Sequence, residues 1–439
     1  MNTVGPFMDS RLLIVDVAAL GWELVRQHGL EVKGLDFAPA ETVFPAVTCT
    51  VQASFRTARP PAEHGMIANG LYFPALRKVM FWEQSAGLVV GERIWSGVRG
   101  RRGKAGVLFW QQSMGEDADV LLTPAPIHKH HGGMIQDCYG RPEWLYREMR
   151  GSLDEPFKLK WYWGPLAGAR AGDWIVRAVS FVLGDPRLAP DVCLAYLPTL
   201  DYDLQRAGPG SEKAAKAVEA LREQLDYLLS AADRTGYEVI VFGDYAIAEV
   251  TRPAVRPNLA LRDAGLFHTR TVGGRLYPDF HTSRAFAVAD HEIAHVYVAD
   301  EADVEPARQV LANTPGIAEV LDAGGLAERG ADHPNAGQLL LVAEDGGWLA
   351  YPWWTRKKQA PDFATHVDIH NKPGFDPCEL FFGWPPMSVS QDTARVRGTH
   401  GRAGAERRVA WASTCPLGGE PASLLDLAGM VRTLLDEAP

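Results

Sequence analysis

The sequence predicts an α/β fold built on a mostly parallel sheet, and two observations support this prediction. Four short apolar runs are rich in β-branched or aromatic residues, which is typical of buried strands. These runs are residues 11–15, 105–110, 192–197 and 237–242. Between the last two, residues 211–234 carry apolar side chains at helical spacing, and Gly236 follows as a stop. A strand, a long helix and a second strand form the crossover that joins parallel strands.

From about residue 252 the chain changes in character, which predicts a smaller inserted subdomain. The stretch RPAVRPN carries two prolines and leaves the core. A β-rich stretch, a candidate helix and an apolar run follow at 267–298, 303–313 and 316–321. We therefore expect an α/β core interrupted by an α+β cap. The predicted core comprises residues 10–251 and 366–439, and the predicted cap comprises residues 252–365.

Composition and charge exclude several classes of function. The formal net charge of -10 argues against binding a nucleic-acid polymer, whose affinity would come from a basic surface. The five cysteines are scattered without a CxxC pair, which argues against a disulfide framework or a thiolate zinc site. No apolar stretch is long enough to span a membrane, and the N-terminal segment reads as a first strand. We expect a cytoplasmic protein with no membrane partner, and the oligomeric state stays open.

Three aspartates follow predicted strands: Asp16, Asp201 and Asp244. In an open α/β sheet, ligands bind beyond the carboxyl ends of the strands. Three carboxylates delivered to that edge predict a site for hard cations. The alternative for each aspartate is an ordinary turn former or helix cap.

The segment 41–70 carries the most specific pattern. It contains PAVT at 45–48, TARPP at 57–61 and HGMIAN at 64–69. This order resembles the nucleophile region of the nucleotide pyrophosphatase/phosphodiesterase branch of the alkaline phosphatase superfamily. The resemblance implies a three-layer alkaline-phosphatase-like core, with Thr48 as the nucleophile and Asn69 supporting the phosphoryl oxygens.

The chemistry of a helix terminus agrees with this role for Thr48. A threonine hydroxyl is a weak nucleophile until a metal or base removes its proton. The free N–H groups and the dipole at the start of a helix over residues 49–57 would favour a phosphoryl group there. The competing interpretation is that Thr48 only caps this helix.

The resemblance also implies two divalent metal ions. The aspartates of its Asp-x-x-x-His and Asp-His-Gly motifs match Asp201 and Asp244, but Gln205 and Tyr245 stand at the histidine positions and Ala246 at the glycine. Its Gly-x-His-Gly motif is kept around His400. The implied ligands are Asp16, Thr48, Asp201, Gln205, Asp244, Tyr245 and His400. Zinc is the first expectation, with manganese, magnesium or calcium as alternatives, because the two replacements supply oxygen ligands.

The function implied is metal-dependent hydrolysis of phosphodiester or nucleotide pyrophosphate bonds in a small phosphorylated substrate, through a covalent phosphothreonine. Two alternatives stay open. One is a phosphomonoesterase or phosphonate hydrolase of the same superfamily, and the other is a catalytically impaired protein that binds a phosphorylated metabolite. The joint presence of the predicted nucleophile and ligands favours an enzyme.

Three further groups of residues are candidates. Asp368, His370 and Lys372 could replace the missing ligands or contact substrate, and an ordinary polar loop is the alternative. The HEIAH stretch at 291–295 matches the letters of a zinc-protease motif, but its neighbours favour strands over the required helix. The histidines within 128–131 favour a solvated loop, with a place at the rim of the site as the alternative.

Overall fold

A computed structural model of the chain describes residues 11–437, and an eight-stranded sheet forms its centre. In spatial order its strands are Ala38–Ala40, Val409–Ser413, Tyr237–Gly243, Arg11–Val17, Val192–Leu197, Ala105–Leu108, Val120–Pro124 and Cys138–Arg141. The middle strands pair in parallel, and the pairs at the two edges are antiparallel. The four predicted strands are all present, and the α/β class is confirmed.

Helices flank this sheet, and the longest is the predicted crossover helix. It spans Glu212–Thr235, begins where the Ser211 side chain accepts from the Ala214 N–H, and ends at Gly236 with φ +73°. Such a left-handed C-terminal residue favours glycine, which carries no Cβ. The other core helices are Trp22–His28, Thr48–Thr57, Pro61–His64, Ser96–Gly100, Leu145–Ser152, Leu159–Tyr162, Arg170–Gly184, Asp201–Ala207 and Leu424–Glu437. Within residues 11–437, no helix combines the length and apolar character needed to cross a membrane.

A four-stranded antiparallel sheet forms in the predicted cap region. Its strands, in spatial order, are Ala285–Asp290, Ile293–Val298, Leu339–Ala343 and Ile317–Leu321. The helices Pro257–Asp263, Val304–Ala312 and Ala323–Glu328 and the hairpin Thr269–Val272/Arg275–Pro278 accompany it. An earlier hairpin, Gly70–Phe73/Lys78–Phe81, packs into the same apolar cluster. The cap boundaries at 252 and 365 stay a prediction.

The parallel strands bring the three aspartates to one edge of the central sheet. Asp16 lies near the end of its strand, in register with Tyr196 on one side and Phe242 on the other. Asp244 follows the strand that ends at Gly243, and Asp201 begins a short helix after the strand that ends at Leu197. The fold therefore delivers three buried carboxylates to the same end of adjacent strands.

Candidate active site

Thr48 is the first residue of the helix Thr48–Thr57, and its side chain is buried. The capping position belongs to Val47, which makes no side-chain cap, so Thr48 does not serve as the N-cap. Instead, the Asn69 side-chain oxygen accepts a 3.0 Å hydrogen bond from the Cys49 N–H. Asn69 thus fixes the start of the helix immediately beside the predicted nucleophile.

Asp16 and Asp244 form the half of the site on the Thr48 side. Gln52, one turn after Thr48, donates to Asp16 Oδ2 at 2.7 Å, while Asp16 Oδ1 is buried without a partner. Asp244 Oδ1 accepts from the Ala19 and Tyr245 N–H groups at 3.1 and 2.9 Å, and its Oδ2 is also buried without a partner. Each carboxylate therefore keeps one oxygen free. Gln52 is a positioning residue that sequence reasoning missed, although its helical spacing from Thr48 was visible.

These two carboxyl groups are unfavourable as bare charges. Burial raises the pKa of Asp16 to about 8, and a hydrogen bond from Gln52 opposes this rise. Burial also raises the pKa of Asp244 well above its ordinary value, and the charge of Asp16 raises it further. No lysine or arginine is among the groups named here as shifting the pKa of Asp16 or of Asp244. A bound cation would supply the missing positive charge.

The other half of the site is closed by hydrogen bonds among its own side chains. Gln205 Nε2 lies 2.8 Å from both oxygens of Asp201, one helical turn earlier. The Tyr245 hydroxyl donates to Asp201 Oδ1 at 2.9 Å. Burial raises the pKa of Asp201 to about 6, and the bonds from Gln205 and Tyr245 oppose the rise. The predicted ligand Asp201 is therefore already engaged by Gln205 and Tyr245, which were themselves predicted as ligands.

His400 connects this half to the rest of the site. Its Nδ1 lies 2.8 Å from the Ala46 carbonyl oxygen, and its ring stacks on Tyr245 with centroids 3.5 Å apart. The pKa of Tyr245 is raised well above its ordinary value by burial and by the charges of Asp201 and Asp244. Tyr245 thus stands among the predicted ligands from both halves.

Asp290 and His291 also belong to this site, although sequence reasoning did not place them there. Asp290 accepts from the Asn69 backbone N–H at 2.8 Å and from its side-chain amide at 3.1 Å. His291 Nδ1 lies 2.8 Å from Asp290 Oδ1, and the His291 ring lies 3.7 Å from the His400 ring. The sequence signal for these two residues was the HEIAH stretch. The sequence indicates that this stretch is a strand, but it does not show that it contacts Asn69.

The donor atoms provide a test of whether cations fit here. Free, buried oxygens on Asp16 and Asp244 suit a hard divalent cation, which the Thr48 hydroxyl could also approach. In the part of the chain that the structure describes, however, no three His, Cys, Asp or Glu side chains stand together as a ready metal site. The residues therefore fit a cation best on the Thr48 side. On the Asp201 side, a cation would have to replace existing hydrogen bonds.

The three candidates near residue 370 make contacts of their own. Lys372 Nζ is buried and lies 2.9 Å from the His366 carbonyl, 2.8 Å from Asp376 and 2.6 Å from Glu379. Its ammonium group is thereby fully occupied, which argues against the predicted phosphate contact. The side chain of Asp368 accepts from Asn371, and His370 Nδ1 lies 3.1 Å from the Phe81 carbonyl. Metal or substrate contact by Asp368 and His370 stays a prediction.

The HEIAH stretch and the histidines within 128–131 lie in the kinds of structure that the sequence predicts for them, a strand region and a loop. HEIAH lies on the hairpin of Ala285–Asp290 and Ile293–Val298, so the helix that zinc-protease chemistry requires is missing there. The histidines at 128–131 lie in an exposed segment between the short strands Ile127–His128 and Met134–Ile135.

Solved structures with a similar fold include those of two hydrolases. Phosphonoacetate hydrolase from Sinorhizobium meliloti 1021, in complex with phosphonoformate, aligns with a TM-score of 0.64 at 15% identity, covering 97% of this chain and 96% of that one. Murine ectonucleotide pyrophosphatase/phosphodiesterase 5 aligns with a TM-score of 0.59 at 13% identity, covering 97% and 95%. At these identities the likeness shows a shared fold. No curated protein matches the sequence significantly.

A family model decides the classification. The model described as type I phosphodiesterase / nucleotide pyrophosphatase matches residues 23–376, which is most of the chain. The matched range includes Thr48, Asn69, Asp201 and Asp244, and it confirms the resemblance found in the sequence. The chain therefore belongs to the type I phosphodiesterase / nucleotide pyrophosphatase family, whose members are phosphoric ester hydrolases.

Proposed function

We propose that this protein hydrolyses phosphodiester or nucleotide pyrophosphate bonds through a covalent phosphothreonine on Thr48. The observation that carries the proposal is the position of Thr48. It begins a buried helix without acting as its cap, and Gln52 one turn later donates to Asp16. Asp16 and Asp244 each keep one buried oxygen without a partner. A threonine with a purely structural role would not need two buried carboxylates without a cationic partner on its side of the site.

In the proposed reaction, the Thr48 oxygen attacks phosphorus, and the bond from phosphorus to the leaving oxygen breaks. The leaving oxygen takes up a proton and departs as an alcohol or a nucleotide. Water then attacks the phosphothreonine, restores the Thr48 hydroxyl and releases the phosphorylated product. Divalent cations held by the predicted ligands would lower the pKa of the hydroxyl and offset charge on the phosphoryl oxygens.

The protein's own groups have separate tasks in this scheme. Apart from the Cys49 N–H, which donates to Asn69, the N–H groups at the start of the Thr48–Thr57 helix would be available to a phosphoryl group. Asn69 keeps the helix start in place, and one hydrogen of its amide remains after its bond to Asp290. That hydrogen is available to a phosphoryl oxygen.

The substrate class is proposed from the family and from its structural relatives. A murine ectonucleotide pyrophosphatase/phosphodiesterase 5 structure, an inactive Thr-to-Ala variant, holds AMP. This favours a nucleotide-bearing diester or pyrophosphate for the present chain. A phosphonate is the second candidate, because the phosphonoacetate hydrolase fold matches over nearly its whole length.

The decisive experiment compares two isosteric substitutions in one helix. Thr48→Val removes the proposed nucleophile, whereas Thr50→Val removes a buried hydroxyl that has no hydrogen-bond partner. Purified proteins are supplied with zinc or manganese and assayed with bis(4-nitrophenyl) phosphate, a dinucleotide pyrophosphate and phosphonoacetate. We expect Thr48→Val to lose more than about 1,000-fold in turnover, which corresponds to about 4 kcal/mol. Thr50→Val should stay close to the unmodified protein.

Acid quenching during turnover provides a second readout. Mass spectrometry of the peptide that contains Thr48 should find a phosphorylated threonine in the unmodified protein and none in Thr48→Val. Undiminished turnover by Thr48→Val would show that another group attacks phosphorus.

A further inference from the structure

The hairpin of the cap sheet inserts a histidine into the proposed active site. His291 and Glu292 form the two-residue turn between the strands Ala285–Asp290 and Ile293–Val298. His291 adopts φ +62°, a conformation that costs free energy for any residue other than glycine. Its ring is buried between Phe375 and His400, with both centroid distances at 3.7 Å. A strained backbone here holds an imidazole deep in the site.

The hydrogen bonds of His291 leave one ring nitrogen free. Its Nδ1 lies 2.8 Å from Asp290 Oδ1, while its Nε2 is buried and has no partner. Asp290 is itself held by two bonds from Asn69. With the proton of the neutral ring on Nδ1, facing a carboxylate, Nε2 carries the free lone pair.

His400 is held in the same manner. Its Nδ1 lies 2.8 Å from the Ala46 carbonyl oxygen, which assigns the ring proton to Nδ1 and leaves the lone pair on Nε2. Histidines that bind metal ions are typically fixed by an Nδ1–H bond to a carboxylate or a backbone carbonyl. His291 shows the first of these arrangements and His400 the second, and the two rings are in contact.

Other buried histidines of the described chain differ in this respect. His295, four residues after His291, uses Nε2 toward the Ile67 carbonyl and Nδ1 toward the Gly337 N–H. His64 uses its two nitrogens toward Ser54 and the Met66 N–H. These two rings serve structural hydrogen bonding, and His295 is a matched control from the same HEIAH stretch.

We propose that His291 supplies an imidazole ligand in place of the histidine that is Gln205 in this chain. His291 and His400, whose rings are in contact, then form a pair of nitrogen ligands for one divalent cation. Zinc is the expected ion, because it prefers nitrogen ligands to the amide and phenol oxygens of Gln205 and Tyr245. The inference rests on the proposed function, since it assigns a ligand within that same site.

The test measures zinc rather than activity. His291→Gln and His295→Gln are made in the full chain, loaded with zinc and dialysed, and their metal content is determined by elemental analysis. We expect His291→Gln to lose about one equivalent of zinc or to bind it at least about tenfold more weakly. His295→Gln should retain the metal content of the unmodified protein.

Cobalt substitution identifies the ligand directly. Loss of a nitrogen ligand should change the visible absorption spectrum of cobalt-loaded His291→Gln but not that of His295→Gln. Gln205→His, added to His291→Gln, should restore zinc binding by returning an imidazole to the other position. A purely structural ring would instead lower the Tm of the metal-free protein without changing metal content.

Unchanged zinc content and an unchanged cobalt spectrum in His291→Gln would overturn the inference. This result is separate from the test of Thr48, because a protein can retain its phosphothreonine chemistry while its second cation has other ligands. Conversely, full turnover by Thr48→Val would refute the proposed function while zinc loss in His291→Gln would still identify a ligand.

Discussion

The two halves of the site differ in what their carboxylates contact. On the Thr48 side, Asp16 and Asp244 each leave one buried oxygen without a partner. On the other side, both oxygens of Asp201 accept hydrogen bonds from Gln205, and one accepts a further bond from Tyr245. The first half is open to a cation, whereas the second is satisfied by neutral side chains.

This difference explains how the Asp201 side of the site can keep its structure without a bound metal ion. Gln205 and Tyr245 supply hydrogen-bond donors that stabilise the charge of Asp201. No equivalent donors reach the free oxygens of Asp16 and Asp244, so that half depends more strongly on a cation. We therefore expect substitutions on the Thr48 side to have larger effects on metal binding than those on the Asp201 side.

The largest effect is expected for Asp244→Asn. The change removes a negative charge but keeps a side-chain oxygen for the Ala19 and Tyr245 N–H groups. Metal content should fall and turnover of an aryl phosphodiester should drop more than about 1,000-fold, equal to about 4 kcal/mol. The Tm of the metal-free protein should stay equal or rise, because a buried charge has been removed.

Asp203→Asn is the matched control for this substitution. Asp203 is partly exposed and pairs with Arg206 at 3.4 Å, so its loss should leave metal content and turnover nearly unchanged. If Asp244→Asn retained full metal content, the open half would not be the principal cation site.

The pH dependence of stability is the next measurement that distinguishes the Thr48 side of the site from the Asp201 side. Burial raises the pKa of Asp16 from 3.8 to about 8 and that of Asp201 from 3.8 to about 6. Between those values the folded metal-free protein holds a proton that the unfolded chain has released, so stability falls as pH rises. We expect these two carboxyl groups to lower the Tm of the metal-free protein between about pH 4 and about pH 8, with the part due to Asp201 complete near pH 6. Buried histidines whose pKa is lowered, such as His64 and His295, act in the opposite direction up to about pH 6.5.

A substitution and a metal-loaded sample test this assignment. Asp201→Asn should remove part of the fall below pH 6 and preserve the fall between pH 6 and pH 8. With zinc bound, Tm should rise over the same range, because protons compete with the cation for the carboxylates. If the metal-free Tm of Asp16→Asn fell from pH 6 to pH 8 as much as that of the unmodified protein, the raised pKa of Asp16 would be contradicted.

Much of this architecture could be predicted from the sequence because it rests on local patterns. The apolar runs and the spacing in residues 211–234 specify their own strands and helix, and both appeared nearly at the predicted bounds. The positions of the aspartates at strand ends could also be predicted, since parallel strands place their carboxyl ends together. Family motifs singled out Thr48 as the nucleophile, which stays a prediction.

The contacts between distant segments could not be predicted. Asn69 and Asp290 are separated by 221 positions, and His291 and His400 meet across the interface of the hairpin and a core loop. No periodicity in either segment encodes that meeting. The HEIAH letters were visible, but their chemical meaning depends on which nitrogen of each ring is already bonded. Lys372 shows the same limit, because its acidic partners became evident only in the fold.

The smallest and most discriminating effect is expected for Tyr245→Phe. If the Tyr245 hydroxyl is a metal ligand, its removal should weaken zinc binding. In the structure, however, this hydroxyl donates to Asp201, so its removal should free an Asp201 oxygen for the cation. The net value of one hydrogen bond, about 1 kcal/mol, predicts an increase in zinc affinity of about fivefold.

The control for this substitution is Tyr202→Phe. Tyr202 lies on the same helix as Asp201, and its buried hydroxyl donates to the Tyr162 carbonyl. It should leave zinc affinity unchanged, and competition with a chelator measures both variants. A decrease in Tyr245→Phe alone would make Tyr245 a true ligand. In that case the Asp201 half would be a working oxygen-ligand site rather than one closed by hydrogen bonds, and the contrast between the two halves would reflect the metal-free state only.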